Sequence, residues 1–391
     1  MSAGQLQRSA PAQAGAAPSS SRSAPVPQLP FVIGSRTASR FSFTLPPTAL
    51  GAASAPLPPV QIPAVGYLKG IELEVTIAGA GGTSPVFTAD APFNVLQAVE
   101  LRNSSGNDLI VPVTGYQLFL INKYGCQDFD APMGDLRLDP TYTAASPSAH
   151  FIARIPCEIS PADAFGSIPA LASNRSYQLQ LTLAALATVI SSNPVLTISI
   201  VGTAIYWTEP VASTASGVMQ ATSPLYNGTL NLWQLEPLTV SPGDKYLKSN
   251  NVGNVLRTLI FTLRTAAGAR TSADWPALCE LYLDNFPMFY LPTTQWQSLI
   301  ARWYQLRNAS LDAAGGLDTG VFVVPFFALA EGAAIANARR SQYLPTLDTA
   351  LLQLRGTSWG ASASTLEILT NSVQPVSPTT GSSSAALYGI S

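Results

Sequence analysis

Charge is scarce in this chain. Lys, Arg, Asp and Glu make up 11% of its 391 residues, against roughly 25% in ordinary soluble domains. A surface so poor in charge and rich in Thr, Ser and Ala suits extensive contact with other protein copies. Histidine is nearly missing: His150 stands alone, which excludes His-based zinc sites and most triads. The three cysteines, Cys126, Cys157 and Cys279, form no Cys-x-x-Cys pair. They read as reduced, mostly buried thiols and not as a disulfide frame or zinc site. Hydrophobic residues reach 47%, yet no run approaches the roughly 18 apolar residues of a membrane span. The best candidate, Val321 to Ala330, contains Pro325 and stops at Glu331. Met1 to Gln5 opens no apolar leader core, so synthesis and folding in a cytoplasm are expected. Proline and glycine, by contrast, are plentiful at 32 and 28. Spread along the chain, they imply many turns and an all-β architecture.

The motifs that carry chemistry fail on context. Gly356 to Gly360 matches Gly-x-Ser-x-Gly, but that nucleophile needs a strand-turn-helix and a later histidine. His150 lies upstream, at the start of an expected strand, where a structural role fits better. Asp128, Asp130, Asp135 and Asp139 cluster without the spacing of a calcium loop. Glu72 and Glu74 share the solvent side of one strand and do not read as a glycosidase pair. Gly79 to Gly82 is followed by no Lys-Ser/Thr, so it is a turn and not a phosphate loop. No basic cluster with interleaved aromatics favours sequence-specific nucleic acid. No catalytic residue, metal or cofactor is expected.

One stretch recurs. Pro112 to Tyr124 reads as a short helix opened by a Thr114–Gln117 capping box. Pro292 to Tyr304 repeats it 180 residues later, with Thr294, Trp296, Gln297 and Tyr304 in the places of Thr114, Tyr116, Gln117 and Tyr124. Tyr116 and Trp296 are expected to pack each helix against its own half. Flanking segments repeat too. Tyr67 to Ile77 alternates, with Ile71, Leu73, Val75 and Ile77 on one face, as a half-buried strand does. Val255 to Arg264 parallels it, and Leu278 to Asn285 parallels Leu96 to Asn103. Further strands are predicted at 149–158, 176–183, 195–207, 226–233, 320–329, 351–355 and 366–373. Agreement of order across several segments marks a duplicated sandwich fold.

Residues 1–64 form an expected extended arm and proline-rich connector, too poor in periodic apolar residues to offset their ordering entropy. Within it Arg40 to Leu45 alternates like a strand added to a neighbouring sheet. Its charges are Arg8, Arg22, Arg36 and Arg40, with no acid before Glu72. Such an arm suits an anionic headgroup layer. The first packed half is set at 65–212, the second at 213–375, and a flexible tail at 376–391.

Gly66 to Thr76, Asn94 to Val99 and Leu291 to Trp296 resemble motifs of the tectivirus-type double jelly-roll major capsid proteins of tailless, membrane-containing icosahedral double-stranded DNA phages. The likeness spans nearly the whole chain. It departs in the arm, where Pro11, Pro18, Pro25 and Pro27 interrupt any helix. The resemblance implies two fused eight-stranded jelly rolls, each with a short crossover helix. It also implies a homotrimer forming a pseudo-hexagonal block in a virion shell, without enzymatic activity. Neighbouring capsomers, vertex and minor capsid proteins, and an internal viral membrane reached by the arm are the implied partners. A minor or vertex protein of the same virus type, or a secreted carbohydrate-binding β-sandwich, is the alternative.

Overall fold

In the computed structural model the described residues are 31–35, 39–81, 85–102, 108–125, 142–143, 147–160, 163–170, 177–191, 194–210, 230–243, 246–304, 316–328, 343–347 and 351–374. The first described element is a single helical turn, α1 (Phe31–Gly34). Four strands follow: β1 (Ser39–Ala49), β2 (Ala55–Pro56), β3 (Val60–Ile62) and β4 (Tyr67–Ala80). β5 (Leu96–Arg102) and β6 (Asp108–Val113) then lead into helix α2 (Gly115–Tyr124). The first half closes with β7 (Tyr142–Thr143), β8 (Ser148–Pro156), β9 (Ile168–Pro169), β10 (Tyr177–Leu183), the turn α3 (Leu186–Val189) and β11 (Val195–Trp207).

The second half begins with β12 (Leu230–Thr239), β13 (Tyr246–Ser249) and β14 (Val255–Thr265). β15 (Leu278–Leu283) and β16 (Phe286–Pro292) run into helix α4 (Thr293–Trp303). β17 (Val321–Pro325), β18 (Leu344–Pro345), β19 (Leu352–Gly356) and β20 (Ala363–Gln374) complete it.

Four antiparallel sheets result. In the first half they run β1-β11-β4-β8-β7 and β2-β10-β5-β6; in the second, β12-β20-β14-β17 and β13-β19-β15-β16. Replacing β1, β2, β4, β5, β6, β8, β10 and β11 by β12, β13, β14, β15, β16, β17, β19 and β20 converts one order into the other. Each half is therefore a jelly roll, and its helix always follows the same edge strand. The strands form where the period-two pattern asks for them. On β4, Ile71, Leu73, Val75 and Ile77 are buried while Glu74 and Thr76 are exposed. Leu196, Ile198 and Ile200 of β11 supply the matching face across the pairing that runs from Val195↔Ala80 to Trp207↔Tyr67.

The first jelly roll starts earlier than the residue-65 boundary, because residues 39–62 are laid onto it and are not part of an arm. β1 pairs with β11 from Ser39↔Tyr206 to Ala49↔Thr197, and β2 and β3 pair with β10. Leu45, Leu50, Leu57 and Ile62 are core residues. The Phe43 ring fills the space above Gly202, where an added Cβ would sit 2.0 Å from it. Proline density argues for a connector, but these strands lie at sheet edges, where a missing N–H faces away from the ladder. Pro46 and Pro47 fall at a register shift between Leu45 and Thr48. Residues 1–30 and 376–391 lie outside the described residues. Among the described residues no helix is long and apolar enough to cross a membrane.

Candidate assembly interface

Helix α2 opens as its sequence predicts. The Gln117 N–H donates to Thr114 Oγ1 at 3.2 Å, and the Thr114 N–H donates to Gln117 Oε1 at 2.9 Å. α4 opens differently: Pro292 is its N-cap and no side chain caps it. Thr114 separates β6 from α2, whereas β16 runs straight into α4, so Thr294 and Gln297 are already inside the helix and form no box.

The two helices also differ in burial. Every α2 residue except Lys123 is buried; α4 buries only Trp296, Ile300 and Trp303, leaving Thr294, Gln295, Ser298 and Arg302 exposed. The strands repeat the contrast. β4 is exposed on its outer face, yet β14 is buried at every position from Val255 to Leu263. What covers α2 and β14 is the other half of the molecule. The second jelly roll lays its β12-β20-β14-β17 face over the α2 side of the first. The corresponding surfaces, the α4 side and the outer β1-β11-β4-β8 face, stay open.

Tyr116 and Trp296 part company at this junction. Trp296 packs in its own half, as expected: its Nε1 donates to the Val323 carbonyl at 2.8 Å, and its ring sits 5.0 Å from Phe322 and 5.2 Å from Phe289. Tyr116 instead reaches across. Its hydroxyl donates to the Leu317 carbonyl at 2.7 Å, and the Arg270 guanidinium lies 4.8 Å from its ring centroid. Burial pushes its hydroxyl pKa up, so it remains a donor.

Arg270 is the principal stitch. Its side chain is 2% exposed. It donates to Asp90 Oδ1 at 2.8 Å and the Ala89 carbonyl at 2.6 Å in the first half, and to the Gly316 and Thr319 carbonyls at 2.9 and 3.1 Å in the second. Beside it Arg264 holds both Asp90 Oδ2 and Glu367 Oε1 at 2.9 Å. Burial raises the Glu367 pKa and Arg264 opposes that rise. Burial alone would lower the Arg264 pKa, but its two carboxylate partners hold it raised. Arg257 donates to the Gly125 carbonyl and to Asn371 Oδ1, both at 3.0 Å. Lys123 and Tyr124 share Asp318 at 2.5 and 2.9 Å. The duplicated tyrosines meet directly: the Tyr304 hydroxyl donates to the Tyr124 carbonyl at 3.0 Å. A chain this poor in charge concentrates its buried ion pairs here, as a polar network that fixes one docking geometry. A cavity of about 360 Å³ opens at the edge of the junction, lined by Asp90, Asn94, Gln97, Thr114, Arg264 and Glu367.

The remaining sequence candidates are scattered. Gly356 ends β19 and residues 357–360 lie in the turn before β20, a strand-turn-strand, with Trp359 buried 5.2 Å from the Trp275 ring. His150 is on β8, its Nε2 2.8 Å from Glu74 Oε1 on the outer face. Cys157 and Cys279 are buried and free; burial pushes both thiols up to about 12. Cys126, the Asp128–Asp139 cluster, Arg8, Arg22 and Arg36 lie outside the described residues. Arg40 is exposed on β1, which puts it on the wall of the first jelly roll and not on a free arm. The charges that matter at the junction, Arg257, Arg264 and Arg270, carry no local motif; their isolation in a charge-poor chain was the one available signal.

A second buried charge sits at the end of the first jelly roll. Glu158 accepts from Trp207 Nε1 at 2.8 Å and pairs with Lys69 at 3.6 Å. Burial raises its pKa, with Lys69 and Trp207 opposing. A raised carboxylate pKa means the folded form holds the proton more tightly. The stability Glu158 contributes is then fully present below the ordinary Glu value of about 4.3, and is lost as pH rises through its folded pKa. Glu158→Gln should therefore leave stability at pH 7 unchanged or increased and flatten its rise toward acid. Melting temperatures between pH 4 and 8 check this; a steeper acid rise in the variant would refute it.

No family model matches the sequence, and no curated protein matches it. Solved structures match over nearly the whole chain. The STIV MCP, from Sulfolobus turreted icosahedral virus, is similar at 15% identity and TM-score 0.57, over 86% of this chain and 97% of that one. The PBCV-1 virus capsid gives 12% identity and 0.56, over 86% and 94%. The Faustovirus major capsid protein gives 8% identity and 0.51, over 86% and 90%. At such identities the likeness is one of fold, and the fold is the double jelly roll.

Proposed function

We propose that this chain is a structural, non-enzymatic shell protein of a tailless double-stranded DNA virus, working as a homotrimer. The observation that carries the reading is the unequal burial of two topologically equal halves. Inside the chain, the open-sheet face of the second jelly roll covers the α2 side of the first. The α4 side and the outer β1-β11-β4-β8 face are left as an unmatched pair of the same kind. A head-to-tail contact between unlike faces closes into a ring when its rotation permits, and three chains would place six jelly rolls around one axis.

The exposed faces have complementary character. β16 and α4 present Phe286, Met288 and Tyr290, at 68, 39 and 60% exposure, with Arg302 nearby in sequence. The opposite face presents Val201, at 40% exposure, with Glu72, Glu74 and Thr76. An exposed apolar patch on one side and a carboxylate-bearing face on the other fit a specific protein contact. The fold likeness to viral capsid proteins supports the shell role. Residues 1–30, carrying Arg8 and Arg22 and no acid, suit an internal membrane.

Mass measurement and negative-stain imaging of the purified full chain test this. The expected result is a trimer with a six-lobed outline, present in particles at high copy number. A stable monomer that binds glycans would overturn it in favour of a carbohydrate-binding protein. Low copy number in particles would assign the chain to the vertices instead.

A further inference from the structure

At the end of the first jelly roll, away from the main core, four residues form a separate apolar cluster: Phe31, Tyr67, Ala164 and Trp207. The Phe31 ring meets Tyr67 at 5.1 Å and Trp207 at 6.0 Å, edge to face in both cases. Three of the four belong to the jelly roll itself. Tyr67 is the first residue of β4, Trp207 the last of β11, and Ala164 lies between β8 and β9.

Trp207 is held without help from Phe31. Glu158 accepts from its indole N–H, and the Lys69 ammonium lies 4.2 Å from its ring centroid. Gly66, at φ +78°, passes so close that an added Cβ would sit 2.1 Å from the Trp207 carbonyl oxygen. The receptacle is thus assembled by strand ends and a turn. The segment seated in it is lightly held. Of α1 only Phe31 is buried, Ile33 is 69% exposed, and the buried Ser35 Oγ has no hydrogen-bond partner among the described residues. One buried ring, with half-buried Val32 packed beside it, anchors the segment, and one unsatisfied hydroxyl opposes it.

We propose that Tyr67, Ala164 and Trp207 form a preformed docking site for this chain's own Phe31, from which residues 31–35 leave and return while both jelly rolls stay folded. Docked, Phe31 ties residues 31–35 to this end of the first jelly roll; released, it frees them from it. The inference is independent of the shell reading, since it concerns only one chain.

Amide exchange read by mass spectrometry on the full chain tests it, comparing wild type with Phe31→Ala. In wild type, residues 31–35 should exchange at least about 100-fold faster than β4, as a low-stability unit does. In the variant they should lose their remaining protection, while segments around Tyr67 and Trp207 keep theirs. A synthetic peptide of residues 28–35 added to the variant should perturb those two segments, and the same peptide with alanine for Phe31 should not. Protection of residues 31–35 equal to β4, loss of protection at Tyr67 and Trp207 in the variant, or indifference to the peptide would each overturn the proposal.

Discussion

Arg270→Ala is expected to destabilise the folded chain by about 1.5–3 kcal/mol, the range for hydrogen bonds made by a charged group. Asp90 would keep Arg264 at 2.9 Å, so an orphaned carboxylate is not the main cost. The larger loss falls on the Ala89 and Thr319 carbonyls, which give up the Arg270 donor, while Gly316 keeps the Thr319 N–H at 3.2 Å. Ala89 is exposed and Thr319 half-buried, so water takes up part of what the guanidinium gave, and the cost stays at the scale of hydrogen bonds to a charged group. The Tyr116 ring also loses the guanidinium lying over it. Arg270→Lys keeps the charge but not the planar fork of donors, and should fall between wild type and alanine. Urea unfolding followed by tryptophan emission reads the effect. Because the residue joins the halves, the alanine variant should also separate into two transitions. A single transition at the wild-type midpoint would show that the junction does not depend on Arg270.

The double substitution Phe286→Glu and Tyr290→Glu should abolish association of copies while leaving each chain folded. Both side chains are mostly exposed, at 68 and 60%, so the fold loses little apolar burial. The proposed partner face carries Glu72 and Glu74, and like charges brought together there oppose docking. Removal of two aromatic anchors from an interface centre typically costs at least about 2 kcal/mol each. Together with the repulsion, the expected result is a dissociation constant raised by about 1,000-fold or more. Sedimentation at micromolar concentration, with circular dichroism as the folding control, measures it. Unaltered association would mean that copies meet through some other surface.

Much of the architecture is legible in the residues because alternation and duplication are both written plainly. Ile71, Leu73, Val75 and Ile77 announce a half-buried strand, and the structure makes it β4. The Thr114–Gln117 box announces α2. Some strands are silent for physical reasons. β1 shows in the alternation of Arg40 to Leu45, but its short successors β2 and β3 hide behind prolines that an edge position tolerates. β16 reads Phe-Pro-Met-Phe-Tyr-Leu-Pro with no polar alternation, because much of its apolar surface is open in the single chain. The junction is less legible still. Arg270 reaches Asp90 across 180 residues, and no local pattern pairs them. Tyr116 and Trp296 align in the repeat, yet one bonds across the junction and the other stays home. The difference arises in their surroundings, which duplication copied in order but not in exposure.

The Arg270 junction has a consequence for how such molecules respond to dilution. It is made within one polypeptide, so its effective concentration is fixed by the chain and not by the solution. Contacts between separate copies obey mass action and weaken as protein becomes scarce. A complex built from both kinds has one preferred line of fracture. On dilution it should come apart into intact two-jelly-roll units and rebuild from them, and free single jelly rolls should not be seen at any concentration.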